Sequence, residues 1–144
     1  MKRSWESSSD RDWAEVLHAL PLFSTMGKRQ VQKLARVASV RDYEPDENLV
    51  RVGEPGDSFY VLLEGRASVA GKSRVLRPGD FFGEMALLDG GPRSATITAT
   101  TPVRAIRLPR PSFTKAIEQD PRIGLCIMAV LAARVRRTER ALSA

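Results

Sequence analysis

Between Val40 and Pro109 the apolar runs are short. They are broken by Gly53, Gly56, Gly65, Gly71, Gly79 and the loop Asp89-Gly90-Gly91-Pro92. Short runs rich in β-branched residues, separated by frequent turn signals, predict an antiparallel β barrel or jelly roll. The pattern places strands at Val40 to Tyr43, Asn48 to Val52, Ser58 to Glu64, Ala67 to Val69, Arg74 to Leu76, Ala95 to Thr100 and Val103 to Leu108. A short connection, Ala70-Gly71-Lys72-Ser73-Arg74, joins two of these strands.

Helical spacing flanks this region on both sides. Trp13, Val16, Leu17 and Leu20 share one face of a first helix, which Ser9 or Asp10 can cap and Pro21 stops. A second helix from about Lys28 carries Val31, Leu34, Ala35 and Ala38 on one face. After Pro109 and Pro111, Ser112 can cap a short helix to about Gln119, and Pro121 opens a last helix reaching Leu142. On that helix Ile123, Ile127, Val130 and Arg134 share one face, while Leu125, Met128, Ala132 and Val135 share another. A helix apolar on two faces has two things to cover.

A chain of 144 residues suits one compact domain. The expected organisation is a polar tail over 1–9 and a domain over 10–144. That domain comprises N-terminal helices within 12–38, a β-roll over 40–109 and C-terminal helices over 112–142. The formal charge of +6 would suit a polyanion only if the cations were clustered, and most are scattered. Arg134, Arg136, Arg137 and Arg140 cluster near a helix C-terminus, where the helix dipole already favours cations. Nucleic acid is therefore not the expected partner. The single cysteine, Cys126, cannot build a disulfide framework or a cysteine zinc site, and a reducing, cytoplasmic setting follows. No signal-peptide pattern opens the chain, and the apolar run Ile123 to Ala133 is about half a membrane span, so no membrane role is expected. One histidine, His18, cannot supply the several metal ligands of a cupin-type jelly roll, so no metal site is expected. No serine, cysteine or lysine stands in recognisable spacing to a general base. The chain reads as a binding protein without catalytic residues.

The segment Phe82 to Thr96, reading Phe-Gly-Glu-Met-Ala-Leu-Leu-Asp-Gly-Gly-Pro-Arg-Ser-Ala-Thr, is the most informative. Gly83 permits close backbone approach, and Glu84 to Leu88 can form a short helix whose first N–H groups face an anion. Arg93 can engage two phosphate oxygens through its planar guanidinium. Glu84 is the acceptor that a ribose hydroxyl needs. The plain alternatives are an ion pair of Arg93 with Asp89 or Glu84, and a helix-dipole role for Glu84.

This segment closely resembles the phosphate-binding cassette of cyclic nucleotide-binding domains, the family of the catabolite activator protein and protein kinase A regulatory subunits. Leu20-Pro21-Leu22-Phe23, Gly53, Gly56-Asp57-Ser58-Phe59-Tyr60, Gly65 and Pro78-Gly79-Asp80-Phe81-Phe82-Gly83-Glu84 follow that family's order, over roughly Trp13 to Leu142. The resemblance implies that Glu84 and the Gly83 backbone bind the ribose 2′-hydroxyl. Arg93 and the N–H groups of Ala86 and Ser94 would bind the phosphate, with Asp57 bracing Arg93. Val61, Leu63, Leu87 and Ala95 would form apolar walls. The last helix would fold over the base as a lid, through Arg134 or else Ile127 and Leu131. Ser94 is compatible with cyclic AMP or cyclic GMP, and in this family a serine here tilts toward cyclic AMP. The function implied is a non-enzymatic sensor that signals by ligand-driven movement of the C-terminal helices and could form a homodimer through the last one. Two alternatives stay open: a transcription regulator of the catabolite activator type lacking its DNA-binding module, and a regulatory subunit acting on an unknown enzyme or channel.

Overall fold

A computed structural model describes the backbone of residues 10–143 and the side chains of residues 13–142. The expected tail, and Ser9 as a cap, lie outside the described residues. The chain divides into a β-rich unit, Arg36–Phe113, and a helical unit formed by the chain up to Ala35 together with the segment from Thr114 onward.

The β-rich unit holds eight strands: β1 Ser39–Tyr43, β2 Asn48–Val50, β3 Ser58–Glu64, β4 Ala67–Val69, β5 Val75–Leu76, β6 Phe81–Phe82, β7 Ile97–Ala99 and β8 Val103–Pro109. They form two antiparallel four-stranded sheets, ordered β1-β8-β3-β6 and β2-β7-β4-β5, which is the anticipated jelly roll. Strands alternate side chains between faces, so Tyr60 and Leu62 of β3 join Leu49, Val50, Ala67, Val69, Leu76, Ile97 and Ala99 in one apolar core. From Ser58 to Leu62 β3 is buried at every position, so neither face announces itself by polarity. The two-residue β6 was not anticipated. It exists because the Pro78-Gly79-Asp80 turn is tied to β3: Gly79 N–H donates to Leu62 O (2.8 Å) and Leu62 N–H to Asp80 O (2.9 Å). The Asp80 carboxylate also accepts from Arg77 N–H at 2.8 Å.

Two helices lie before the strands in sequence, α1 Asp10–His18 and α2 Lys28–Val37. Asp10 is the first helical residue rather than a cap. A short helix, α3 Glu84–Asp89, interrupts the strands, and α4 Arg110–Gln119 and α5 Pro121–Ser143 follow them. The expected start of α4 at Ser112 is corrected to Arg110, because Pro111 is tolerated within a first helical turn. Asp120 caps α5, accepting from Arg122 N–H at 3.2 Å, and the Arg122 side chain holds its carboxyl down at about 2. The two faces read on α5 separate cleanly: Ile123 and Ile127 are buried, while Leu125, Met128 and Val135 are exposed.

Gly65 closes the β3–β4 turn at φ 88°, where a Cβ would lie 2.9 Å from Val103 Cα and closer still to Pro102 O. Gly65→Ala combines the cost of a left-handed alanine with an unrelievable backbone contact, so it is expected to lower unfolding free energy by about 2–4 kcal/mol. Urea denaturation followed by circular dichroism measures this, and an unchanged midpoint would contradict the steric account.

Candidate functional site

A cavity of about 420 Å³ opens within the β-rich unit, a size within the usual range for small-molecule sites. Its walls come from both sheets and from α3. Val50, Val69, Leu76 and Ile97 supply an apolar side, and Phe82, Gly83, Glu84, Ala86, Arg93, Ser94 and Ala95 form the side contributed by the cassette. The Phe82 to Thr96 segment, read from sequence as one ligand-binding unit, thus brings Gly83, Glu84, Ala86, Arg93, Ser94 and Ala95 to one cavity.

Arg93 is the central group. It is only 6% exposed, yet it carries a formal charge. Two loops are laced together to hold it. Arg93 N–H donates to Glu54 O (2.8 Å), Gly53 N–H to Arg93 O (2.9 Å) and Gly56 N–H to Gly91 O (2.9 Å). Gly56 has no alternative at its position, since a Cβ there would collide with Ala86 Cβ and lie 2.5 Å from Gly91 O. The guanidinium donates from Nη2 to Ser58 O at 2.8 Å. It lies 5.7 Å from the centroid of the Tyr60 ring, within cation–π range. Tyr60 stacks on Phe82 with centroids 4.9 Å apart, and the Tyr43 side chain hydrogen-bonds Tyr60. Burial pushes the Tyr43 hydroxyl above its ordinary pKa.

Arg93 Nη1, by contrast, is buried without a hydrogen-bond partner. Burial pulls the guanidinium below its ordinary pKa, opposed by the fields of Tyr60, Asp57 and Glu54. An unpaired buried donor on a cation is costly, and an anionic oxygen would remove that cost. The plain alternative of an Arg93–Asp89 pair does not hold: Asp89 Oδ1 accepts from Gly91 N–H at 2.7 Å instead.

Asp57 does sit beside Arg93, with Oδ1 3.6 Å from Nη2, too long for a hydrogen bond. Its carboxylate is 65% exposed and shared, accepting from Ser58 Oγ at 3.0 Å and Arg107 Nη2 at 3.4 Å. Its influence on Arg93 is electrostatic and screened by solvent. Gly83 adopts φ 83°, and a Cβ there would stand 2.6 Å from Arg93 Nη1. Glycine at this position is what lets the guanidinium reach under the start of α3. Arg110 supports the other end of α3, donating to Leu88 O at 3.3 Å.

Three of the anticipated wall residues fall elsewhere. Val61 and Leu63 alternate with the core residues Tyr60 and Leu62 and do not line the cavity, and Leu87 is fully buried off its wall. Because β3 is buried at successive positions, its sequence does not reveal which face is which. Ala95 does line the cavity. Ile127, Leu131 and Arg134 all lie on α5, with Ile127 buried and the other two half-buried. Sequence reasoning missed Tyr60 and Phe82 as the support of Arg93, and Lys72 and Arg74 as lining residues. Strand alternation from Leu76, which puts Arg74 on the same face, was the available signal for one of these.

The family model described as "Cyclic nucleotide-binding domain" matches residues 40–120. A cyclic nucleotide-gated potassium channel of Mesorhizobium japonicum is 39% identical over 115 residues, 79% of this chain and 32% of the channel. A CRP-like cAMP-activated global transcriptional regulator of Mycobacterium tuberculosis is 28% identical over 137 residues, 90% of this chain and 61% of the regulator. The chain thus spans less than two thirds of the length of either relative. Among solved structures, the N-terminal domain of a transcriptional regulator from Streptomyces coelicolor superposes with a TM-score of 0.81 at 30% identity, covering 88% of this chain and 94% of that one. By sequence match, shared fold and a cavity lined by the matched segment, the chain belongs to the cyclic nucleotide-binding domain family.

Proposed function

We propose that residues 10–144 form a cyclic nucleotide sensor in which Arg93 binds the cyclic phosphate and Glu84 the ribose. The observation that carries this reading is the buried, unpartnered Nη1 of Arg93 at a cavity of ligand size. One guanidinium matches the single negative charge of a cyclic phosphodiester, and the N–H groups of Ala86 and Ser94 complete its hydrogen bonding. Glu84, half-buried in the same wall, accepts the 2′-hydroxyl with help from the Gly83 backbone. Asp57 tunes Arg93 from outside, and Ala95 contributes apolar wall.

Cyclic AMP is the favoured ligand. Ser94 is compatible with either base but by family resemblance tilts toward cyclic AMP, and relatives whose names state a ligand include a cAMP-activated regulator and cAMP-dependent kinase regulatory subunits. The role is regulatory and non-catalytic, in the cytoplasm. Occupancy is signalled by movement of the C-terminal helices, with Arg134 of α5, or Ile127 and Leu131, contacting the base in one state more than in the other, since only differential affinity shifts such an equilibrium. Among the described residues no helix is long and apolar enough to cross a membrane.

The exposed residues Leu125, Met128, Ala132 and Val135 recur on α5 at intervals of three, four and three, with Leu142 seven residues beyond Val135, the spacing of a two-stranded coil seam. This stripe favours a homodimer through α5, in the manner of a regulator's sensory half. The other reading, a regulatory subunit of an enzyme or channel, would use the same face for a different protein. A gel shift on genomic DNA with and without cyclic nucleotide distinguishes a DNA-bound regulator from a subunit of the other kind.

Stripping one partner from a buried charge pair costs about 3–5 kcal/mol, so Arg93→Ala is expected to weaken cyclic AMP binding by hundreds-fold or more. Calorimetry on nucleotide-stripped protein measures it, and near-normal affinity would sink the phosphate assignment. For Glu84, 2′-deoxy cyclic AMP should bind wild type much more weakly than cyclic AMP does, whereas Glu84→Ala should bind the two alike. Equal ratios in both proteins would contradict the ribose role. Sedimentation equilibrium should find a dimer that Leu125→Glu with Met128→Glu converts to monomer; a wild type that is monomeric at high micromolar concentration would overturn the α5 interface.

A further inference from the structure

The helical unit carries a hollow of about 610 Å³, lined by Lys28, Arg29 and Lys33 of α2 and by Arg122 of α5, with Asp120 as its one carboxylate among the described residues. Asp120 is only 6% exposed and already engaged. It accepts from Arg122 Nε at 3.0 Å and Nη2 at 3.2 Å, lies 3.6 Å from Lys33 Nζ, and accepts from the Gln30 side chain. Gln30 is fixed in turn by Gly27 N–H, which donates to its Oε1 at 2.9 Å. Arg122 and Lys33 are thus partly answered. Lys28 and Arg29 are exposed and in no ion pair among the described residues.

Four cations against one buried carboxylate leave an excess of positive charge around a single hollow. Helix stability does not account for it. α2 opens on Lys28 and Arg29 with no acidic residue in its first turn, and α5 opens on Pro121 and Arg122, again with none. The positive end of a helix dipole disfavours cations at these positions and favours acids. The lining holds no aromatic ring on which a nucleic acid base could stack and no large apolar side chain to enter a bilayer. Carboxylates on a protein segment complement it in charge, and such charges both steer association and fix its register.

We propose that the hollow between the starts of α2 and α5 docks an acidic segment of a partner protein. Lys28 and Arg29 are the free cations that receive its carboxylates, and Arg122 and Lys33, held in place by Asp120, supply the surrounding positive potential. The surface draws on none of the residues that line the nucleotide cavity, so the inference is independent of the cyclic nucleotide reading.

The test is fluorescence anisotropy of a labelled hexaglutamate peptide titrated with the full chain, beside vesicles containing phosphatidylserine and a single-stranded oligothymidine. Lys28→Glu with Arg29→Glu should weaken peptide binding about tenfold or more, and Lys28→Gln with Arg29→Gln should fall between that pair and wild type. Arg66→Glu with Arg77→Glu removes the same charge from exposed positions on the β-rich unit and should weaken it by less than about twofold, since an attraction to net charge alone would treat the two pairs alike. Added salt should weaken the wild-type complex. Acidic residues suit the first turn of a helix, so thermal melting should find the Lys28→Glu, Arg29→Glu variant at least as stable as wild type, which separates lost docking from lost fold. Equal losses in the two charge-reversed pairs, or no peptide binding by wild type, overturn the docking site. Tighter binding of the vesicles or the oligonucleotide, abolished by the same Lys28 and Arg29 changes, overturns the acidic segment as its occupant.

Discussion

The β-rich unit is organised around a cation it keeps almost entirely from water. A guanidinium buried to the extent of Arg93 needs partners, and the chain provides them on one side only: Ser58 O for Nη2, the Tyr60 ring beneath, and the field of Asp57 at the rim. Nη1 is left unanswered. A buried unpaired donor is costly, and few native structures keep one.

Much of the neighbouring backbone can be understood as holding that cation in place. The laced loops Gly53 to Gly56 and Gly91 to Arg93 hold Arg93 by three main-chain hydrogen bonds, two of which make up the bridge between Pro55 and Pro92. Gly56 and Gly83 are required by contact distances and not merely by turn shape, the first against Gly91 O and the second against the guanidinium itself. The Tyr43–Tyr60–Phe82 series carries this support through β1, β3 and β6 of one sheet. The residues that line the cavity and those that hold the fold together are thus in part the same.

The charges lining the cavity also divide by neighbourhood. Arg93 is buried and fixed, Glu84 is half-buried at the start of α3, and Lys72 and Arg74 are exposed on a hairpin. Relatives named as a potassium channel, kinase regulatory subunits and transcriptional regulators suggest how one such ligand module is reused with different outputs.

The sequence by itself determined the architecture and the cassette. Glycines and prolines between short β-branched runs specify an antiparallel roll, because they mark turns by local conformational preference alone. Gly83, Glu84, Ala86, Arg93, Ser94 and Ala95 lie within a few residues of one another, so a single short helix and loop suffice to gather them on one cavity wall. Whatever depended on strand phase or on distant pairing was decided only by the tertiary structure. The face that Val61 and Leu63 share could not be read from sequence, because β3 is buried on both faces and its composition carries no phase. Tyr60 and Phe82 became neighbours through the pairing of β3 with β6, a strand too short to have a periodicity of its own. Arg74 lines the cavity while exposed because the register of β4 against β5 puts it on the face of Leu76, and register is set by hydrogen bonds between segments, which composition does not record.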